Sequence, residues 1–179
     1  MIKKDGNTMI IDTFRDLKSS SAEFNKAKRK TVKLIVKSAE HDQKVIDIIN
    51  TLKEMRDLEW VEIQNPDTKL CSIDGMLYSR NGKNLYFCAR TGAVEIPDGT
   101  KTICEGAACN CMLSELIIPD SVKHIKNFAF FGSCMLEEVK GGSGITDIED
   151  SVFLNCVRLK KFNIGKNMKH IGDLSLIHI

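Results

Sequence analysis

A repeat of 22 or 23 residues in the second half of this 179-residue chain is the feature that most limits its possible folds. Four columns of residues recur in one register: Ile103, Ile125, Ile148 and Ile171; Ala107, Ala129 and Val152; Cys111, Cys134 and Cys156; Leu113, Leu136 and Leu159. A unit of ~23 residues cannot close an apolar core by itself, whereas stacked units bury each column against the next. The spacing therefore predicts a repeat solenoid.

Each unit also carries a short strand pattern, with apolar residues at positions 1, 4 and 6 of a six-residue window. Leu113–Ile118 shows this pattern, as do the windows 58–63 and, more weakly, 31–36. Because side chains alternate along a strand, positions 3 and 5 point away from the core. We expect one short β-strand per repeat, with one buried face and one face open to solvent.

The best repeat reads IPDSVKHIKNFAFFGSCMLEEV. It is close to the pattern I-P-x-x-V-x-x-I-x-x-x-A-F-x-x-C-x-x-L. It resembles the BspA-type leucine-rich repeats, which are known chiefly from bacterial surface proteins and some protists. The first unit departs from the pattern at Ala107 and Ala108, and the third replaces I-P-x-x with the glycine-rich segment 141–144. The resemblance covers residues 58–173 and implies a leucine-rich-repeat β-solenoid with a binding role.

A second signature lies at about residues 72–90, which include SIDGMLYSRNGKNLYFCA. This segment resembles the β-hairpin insertion that BspA-type proteins often carry before an I-P-D-G segment. Asn81-Gly82 is a strong two-residue turn signal between apolar-rich strands. We expect the two strands of the hairpin at about 73–79 and 84–89.

The two ends lie outside the repeat pattern. Residues 1–57 contain a polar segment, a strand in VKLIVKS and a helix in DQKVIDIINTLKEMRDL that Asp42 can cap. We expect the strand–helix unit to cap the repeats, and residues 1–28 to be poorly ordered. Residues 174–179, LSLIHI, resemble translated sequencing adapter, so we expect a truncated gene fragment whose uncapped last repeat self-associates.

Charge and hydropathy give little sign of nucleic acid or membrane as a partner. The net charge is +2, and no apolar run approaches the ~18 residues of a membrane span. A basic cluster at residues 26–37 could form an anionic-ligand patch, but only Phe24 is interleaved as a stacking aromatic, so we favour a solvated segment. The N-terminus shows no secretion signal, which makes the cytoplasm the default location although the family is often found at the cell surface.

No group of residues predicts catalysis, a metal or a cofactor. The seven cysteines are odd in number and read as reduced, buried thiols, and Cys109-x-Cys111 lacks a histidine at zinc spacing. His124 and His170 occupy the same repeat position, which favours the scaffold rather than a catalytic site. The glycine-rich segment 141–144 lacks the following Lys-Ser/Thr of a phosphate loop.

The best functional candidates are the strand residues at positions 3 and 5, on the expected concave face. They are Trp60, Glu62, Glu115, Ile117, Glu138, Lys140, Lys161 and Asn163. Trp60 and Ile117 weigh most because exposed aromatic and apolar groups favour partner recognition, although Trp60 could instead pack beneath the hairpin insertion. We expect a non-catalytic, protein-binding module of adhesion type; the alternative is an intracellular scaffold or regulatory module on the same fold.

Overall fold

The computed structural model of the chain describes residues 2–17, 22–38, 44–65, 69–163 and 165–176. They fall into two compact units, Met1–Arg80 and Asn81–Ile179. The elements of the first unit are β1 (Ile2–Asp5), β2 (Thr8–Thr13), a 3-10 helix (Phe14–Asp16), α1 (Ala22–Ala27), β3 (Lys33–Ser38), α2 (Val45–Lys53), β4 (Trp60–Asn65), β5 (Leu70–Ile73) and β6 (Met76–Ser79).

The first four strands form a sheet in the order β1-β2-β3-β4. β1 and β2 make an antiparallel hairpin, while β2, β3 and β4 run parallel. Leu34 of β3 is in register with Met9 of β2 and with Val61 of β4, and all three side chains are buried. The weak strand pattern at 31–36 therefore marks a real strand of this sheet.

The N-terminal segment differs from the expectation of poor order. Its described residues form the β1–β2 hairpin and α1, and Met9, Ile11, Phe14 and Phe24 are fully buried. The physical reason is the alternation of Met9 and Ile11, which lets β2 bury one face although the segment is largely polar. Asp42, the predicted helix cap, lies outside the described residues.

A second antiparallel hairpin is formed by β5 and β6, which turn at Asp74 and Gly75. Both turn residues have positive φ, of 48° and 76° respectively. The strand expected at 73–79 is therefore divided by a turn, seven residues before the predicted turn at Asn81-Gly82 (81 minus 74). Gly82 also has a positive φ, of 68°, so both segments use glycine where the backbone is left-handed.

The second unit contains two short strands from most repeats. Its elements are β7 (Asn84–Phe87), β8 (Gly92–Glu95), β9 (Thr102–Ile103), β10 (Leu113–Ile118), β11 (His124–Ile125), β12 (Glu138–Gly141), β13 (Asp147–Ile148), β14 (Lys161–Phe162) and β15 (His170–Ile171). One parallel sheet has the order β14-β12-β10-β8, and within this unit another runs β15-β13-β11-β9-β7. Each successive repeat thus adds one strand to each sheet, beside the strand of the preceding repeat.

The apolar columns predicted from the sequence are ladders in this unit. Ile125 is the register partner of both Ile103 and Ile148, and Ile148 is the partner of Ile171. The first three of these isoleucines are fully buried. The alanine–valine and leucine columns are buried as well, so neighbouring repeats share one continuous apolar core.

The cysteine column predicted from the sequence is wrong at one position, Cys134. The side chains that fill it are Cys111, Ser133 and Cys156, which donate hydrogen bonds to the main-chain oxygens of Cys88 (2.8 Å), Ala108 (3.0 Å) and Phe130 (3.1 Å). Cys134 is exposed. Each true member lies four residues after the alanine–valine column, whereas Cys134 lies five after Ala129 (134 minus 129) and falls in the following loop.

The glycine-rich segment 141–144 makes close contacts between repeats. A Cβ built on Gly141 would collide with the main-chain oxygen of Ile118, and one on Gly144 with that of Asp120. The segment that replaces I-P-x-x in the third unit therefore lies close to the backbone of the preceding repeat, an approach that only glycine permits.

The described residues 174–176 take the backbone positions of a further repeat. Leu174 has a φ of 59°, close to the 58° of Phe128 and the 56° of Ser151. Ser175 is buried, and its main-chain oxygen accepts a hydrogen bond from the N–H of Phe153 at 3.2 Å. The origin of residues 174–179 as adapter read-through stays a prediction.

Candidate functional site

The solvent-facing side of the sheet β8-β10-β12-β14 is the candidate site, and we call it the open face. Along these strands the inward residues Val94, Leu116 and Val139 are buried. The side chains between them point outward, as the alternation predicts. The open face consists of Ala93, Glu95, Glu115, Ile117, Glu138, Lys140 and Lys161, with Asn163 exposed just after β14.

Strand register arranges these side chains in two rows that cross the sheet. The first row is Ala93, Glu115, Glu138 and Lys161, and the second is Glu95, Ile117 and Lys140. Neighbours within a row lie on adjacent strands, ~4.8 Å apart. Residues that are 22 or 23 apart in the sequence therefore form one contiguous surface.

Ion pairs connect most of the charged groups on the open face. Lys140 Nζ lies 2.9 Å from Glu115 Oε1 and 3.7 Å from Glu138 Oε2, and Lys161 Nζ lies 4.0 Å from Glu138 Oε1. The hydrogen bond to Glu115 is the main cause that raises the pKa of Lys140. Glu115 and Glu138 are direct register partners, so Lys140 offsets the repulsion between two like charges.

Two residues of this face, Ala93 and Glu95, are not among the residues predicted from the strand pattern. They belong to β8, which pairs in parallel with β10 and places Glu95 opposite Ile117. The available signal was the segment VEIP at 94–97, which precedes LIIP at 116–119 by 22 residues (116 minus 94).

Trp60 and Glu62 lie on the sheet of the first unit rather than on the open face. A Cβ built on Gly75 would lie 2.5 Å from Cδ2 and Cε3 of Trp60, so the indole packs on the turn of the β5–β6 hairpin. Lys33 Nζ lies 5.8 Å from the ring centroid of Trp60 and 2.7 Å from Glu62 Oε2. This geometry agrees with the alternative interpretation, in which Trp60 packs against the hairpin.

Half of the basic cluster at residues 26–37 is engaged in ion pairs within the first unit. Lys28 pairs with Glu54 at 2.9 Å, and Lys37 pairs with Asp12 at 2.7 Å. With the Lys33–Glu62 pair, three of its cations already have carboxylate partners. These contacts support the interpretation of a solvated, locally compensated segment.

His124, His170 and the buried thiols form part of the repeat scaffold. Burial raises the pKa of Cys104 to about 11 and that of Cys156 to about 12, which suppresses the reactive thiolate. His124 and His170 flank Asp147 on adjacent strands, and His124 Nδ1 lies 3.1 Å from Asp147 Oδ2. Among the described residues, no group of His, Cys, Asp and Glu is arranged to hold a metal ion.

Residues 81–178 match the BspA type Leucine rich repeat region, in 6 copies. A leucine rich cell surface protein from Faecalibacterium prausnitzii has a TM-score of 0.60 and 24% identity, over 79% of this chain and 41% of that chain. The pneumococcal vaccine antigen PcpA has a TM-score of 0.59 and 24% identity, over 64% of this chain and 29% of that chain. A leucine-rich repeat protein from Bacteroides capillosus has a TM-score of 0.52 and 22% identity, over 57% and 87% of the two chains.

The chain therefore spans less than half the length of PcpA and of the F. prausnitzii protein. These likenesses show a shared leucine-rich-repeat fold. No curated protein matches the sequence. Within the part of the chain that the structure describes, none of the helices has the length and apolar character needed to cross a membrane.

Proposed function

The chain belongs to the BspA-type leucine-rich repeat family, and from that membership we propose that it is a non-catalytic, protein-binding module of adhesion type. The ligand would cover the open face, which Glu115, Ile117, Glu138, Lys140 and Lys161 share. We also infer that the repeats wind as a β-solenoid with a hairpin insertion at about residues 72–90.

The observation that carries this proposal is the composition of the open face. Ile117 is half-buried and apolar, and most of the charged groups around it already pair with one another. Because Glu115, Glu138 and Lys140 are compensated within the protein, a partner can cover them without supplying an opposite charge for each. An apolar centre with a polar rim is the usual anatomy of a protein–protein interface.

A selection of random short peptides displayed on phage tests the proposal. The folded chain is the target, and the affinities of the enriched peptides are measured on the Ile117→Ser and Lys161→Glu variants. We expect binding to weaken about tenfold or more on Ile117→Ser, since it removes the apolar centre. Lys101→Glu is the matched control for the charge reversal, because Lys101 is exposed and immediately precedes β9 of the other sheet.

Enriched peptides that bind Ile117→Ser and Lys161→Glu as tightly as the unmodified chain would place the binding surface elsewhere. A selection that enriches no peptide would also count against a protein-binding role for this face. Circular dichroism of each variant separates loss of binding from loss of folding.

A second candidate is an intracellular scaffold or regulatory module on the same fold. The thiols of Cys111 and Cys156 favour it, because each donates an S–H hydrogen bond to a main-chain oxygen of the neighbouring repeat. A thiol oxidised to a disulfide has no proton to donate, so these bonds suit a reducing compartment. Protease treatment of intact source cells distinguishes the candidates, since only a surface-displayed adhesion protein is cleaved.

A further inference from the structure

We propose that Glu95 determines which partners the open face accepts: the bound segment must place a lysine or arginine side chain against Glu95 and an apolar side chain against Ile117. This inference rests on the proposed function and adds the chemistry of the ligand. Glu95 is exposed on β8, and Ile117 is its register partner on β10.

The charges of the open face are unequally compensated. Glu115 and Glu138 both lie within ion-pair distance of Lys140, and Lys161 also reaches Glu138. Among the described residues, Glu95 has no ion pair and no side-chain hydrogen bond. The Glu95 carboxylate is therefore stabilised by water, whereas the other carboxylates of this surface have lysine partners.

Covering the open face removes that water. A carboxylate that is buried without a cation or hydrogen-bond donors is strongly unfavourable, whereas the other carboxylates keep their lysine partners. A partner with an acidic or apolar side chain at this point is rejected, and one with a cation is accepted. Glu95 thus acts through the penalty it imposes on the wrong ligand.

Ile117 adds the second element of the recognition pattern. As register partners on adjacent strands, Glu95 and Ile117 lie ~4.8 Å apart on the same side of the sheet. Ala93, two residues before Glu95 on β8, has a small side chain and is exposed. The pair therefore fits a basic side chain whose neighbour in the bound segment is apolar.

The experiment uses the same library of random phage-displayed peptides on three targets: the unmodified chain, Glu95→Gln and Glu105→Gln. Glu105 is the matched control, because it is also exposed and has no ion pair among the described residues, yet lies outside the open face. We expect the unmodified chain and Glu105→Gln to enrich peptides with lysine or arginine beside an apolar residue. Glu95→Gln should lose that enrichment, and peptides selected on the unmodified chain should bind it about tenfold more weakly.

A charge reversal gives a second, independent readout. Glu95→Lys should shift the enriched peptides toward aspartate and glutamate, since the surface would then present an uncompensated cation. Circular dichroism confirms that the variants remain folded, as expected for an exposed side chain.

The outcomes separate this inference from the proposed function. Peptides that lose affinity on Ile117→Ser, but show no basic enrichment or bind Glu95→Gln unchanged, overturn the role of Glu95 and leave the open face as the binding surface. Peptides that bind Ile117→Ser unchanged, or a library that yields no binder, overturn the proposed function and this inference with it.

Discussion

Phe130 and Phe153 stack in neighbouring repeats, with their ring centroids 5.3 Å apart and their planes 5° from parallel. Phe153 also contacts Phe162, whose centroid is 5.3 Å away at an interplanar angle of 52°. The rings of Phe130 and Phe153 are almost completely buried. Phe153 thus joins the alanine–phenylalanine positions of two repeats to a strand of the open-face sheet.

Phe153→Ala should destabilise the fold by about 3–5 kcal/mol, because it removes a buried ring and leaves a cavity between repeats. Urea unfolding followed by circular dichroism measures the loss. Phe128→Ala is the control: Phe128 is 42% exposed, and we expect a loss of about 1 kcal/mol. Equal losses for the two variants would contradict the central position of Phe153.

Leu136→Asp should unfold the repeats, because it places an unpaired charge at a fully buried position of the leucine column. Lys161→Ala should change the free energy of unfolding by no more than about 0.5 kcal/mol, since its side chain is 74% exposed. Thermal melts of both variants test the assignment of inward and outward positions. If the two melted alike, that assignment would be wrong.

Gly141→Ala and Gly92→Ala separate backbone strain from a steric clash. Both glycines have a similar positive φ, 76° and 72°, so alanine costs about 1–2 kcal/mol of strain at either position. A Cβ on Gly92 meets no atom within 4 Å, whereas one on Gly141 collides with the main-chain oxygen of Ile118. Chemical denaturation should therefore show a distinctly larger loss for Gly141→Ala, and a similar loss for both would disprove the close approach.

The cysteines should differ in their reactivity toward iodoacetamide. Cys134 is exposed and should be alkylated first in the native protein. Cys156 is buried, with a pKa raised to about 12, and should react only after unfolding. Peptide mapping by mass spectrometry over time measures both rates, with the urea-unfolded chain as the control. Early alkylation of Cys156 would contradict its place in the buried column.

Asp147→Asn should weaken the fold at neutral pH but not in strong acid. Hydrogen bonding by the Thr146 hydroxyl is the largest cause of the lowered pKa of Asp147, and the charge of His124 acts in the same direction. A carboxyl whose folded pKa lies below its ordinary 3.8 contributes stability above that pH and loses it as the pH falls through the folded pKa. The difference in melting temperature between variant and unmodified chain should therefore shrink below pH 3.8, and a constant difference would contradict this account.

The open face shows how much of the candidate site the repeat pattern predicts. Positions 3 and 5 of the strand pattern predicted Glu115, Ile117, Glu138 and Lys140 as outward residues, and the structure places them there. The pattern alone did not reveal which of their charges are paired. Ion pairing depends on side-chain geometry across strands, which the spacing of one repeat does not specify.

The spacing of 22 or 23 residues by itself determined the apolar ladders, because every repeat meets a neighbour with the same shape and must bury the same positions. It also determined the alternation along each strand. Tertiary structure alone decided that Gly75 lies over Trp60 and that Lys140 pairs with both Glu115 and Glu138. The first contact involves a hairpin turn that lies outside the repeat period, and the second depends on side-chain geometry across strands, which the period does not specify.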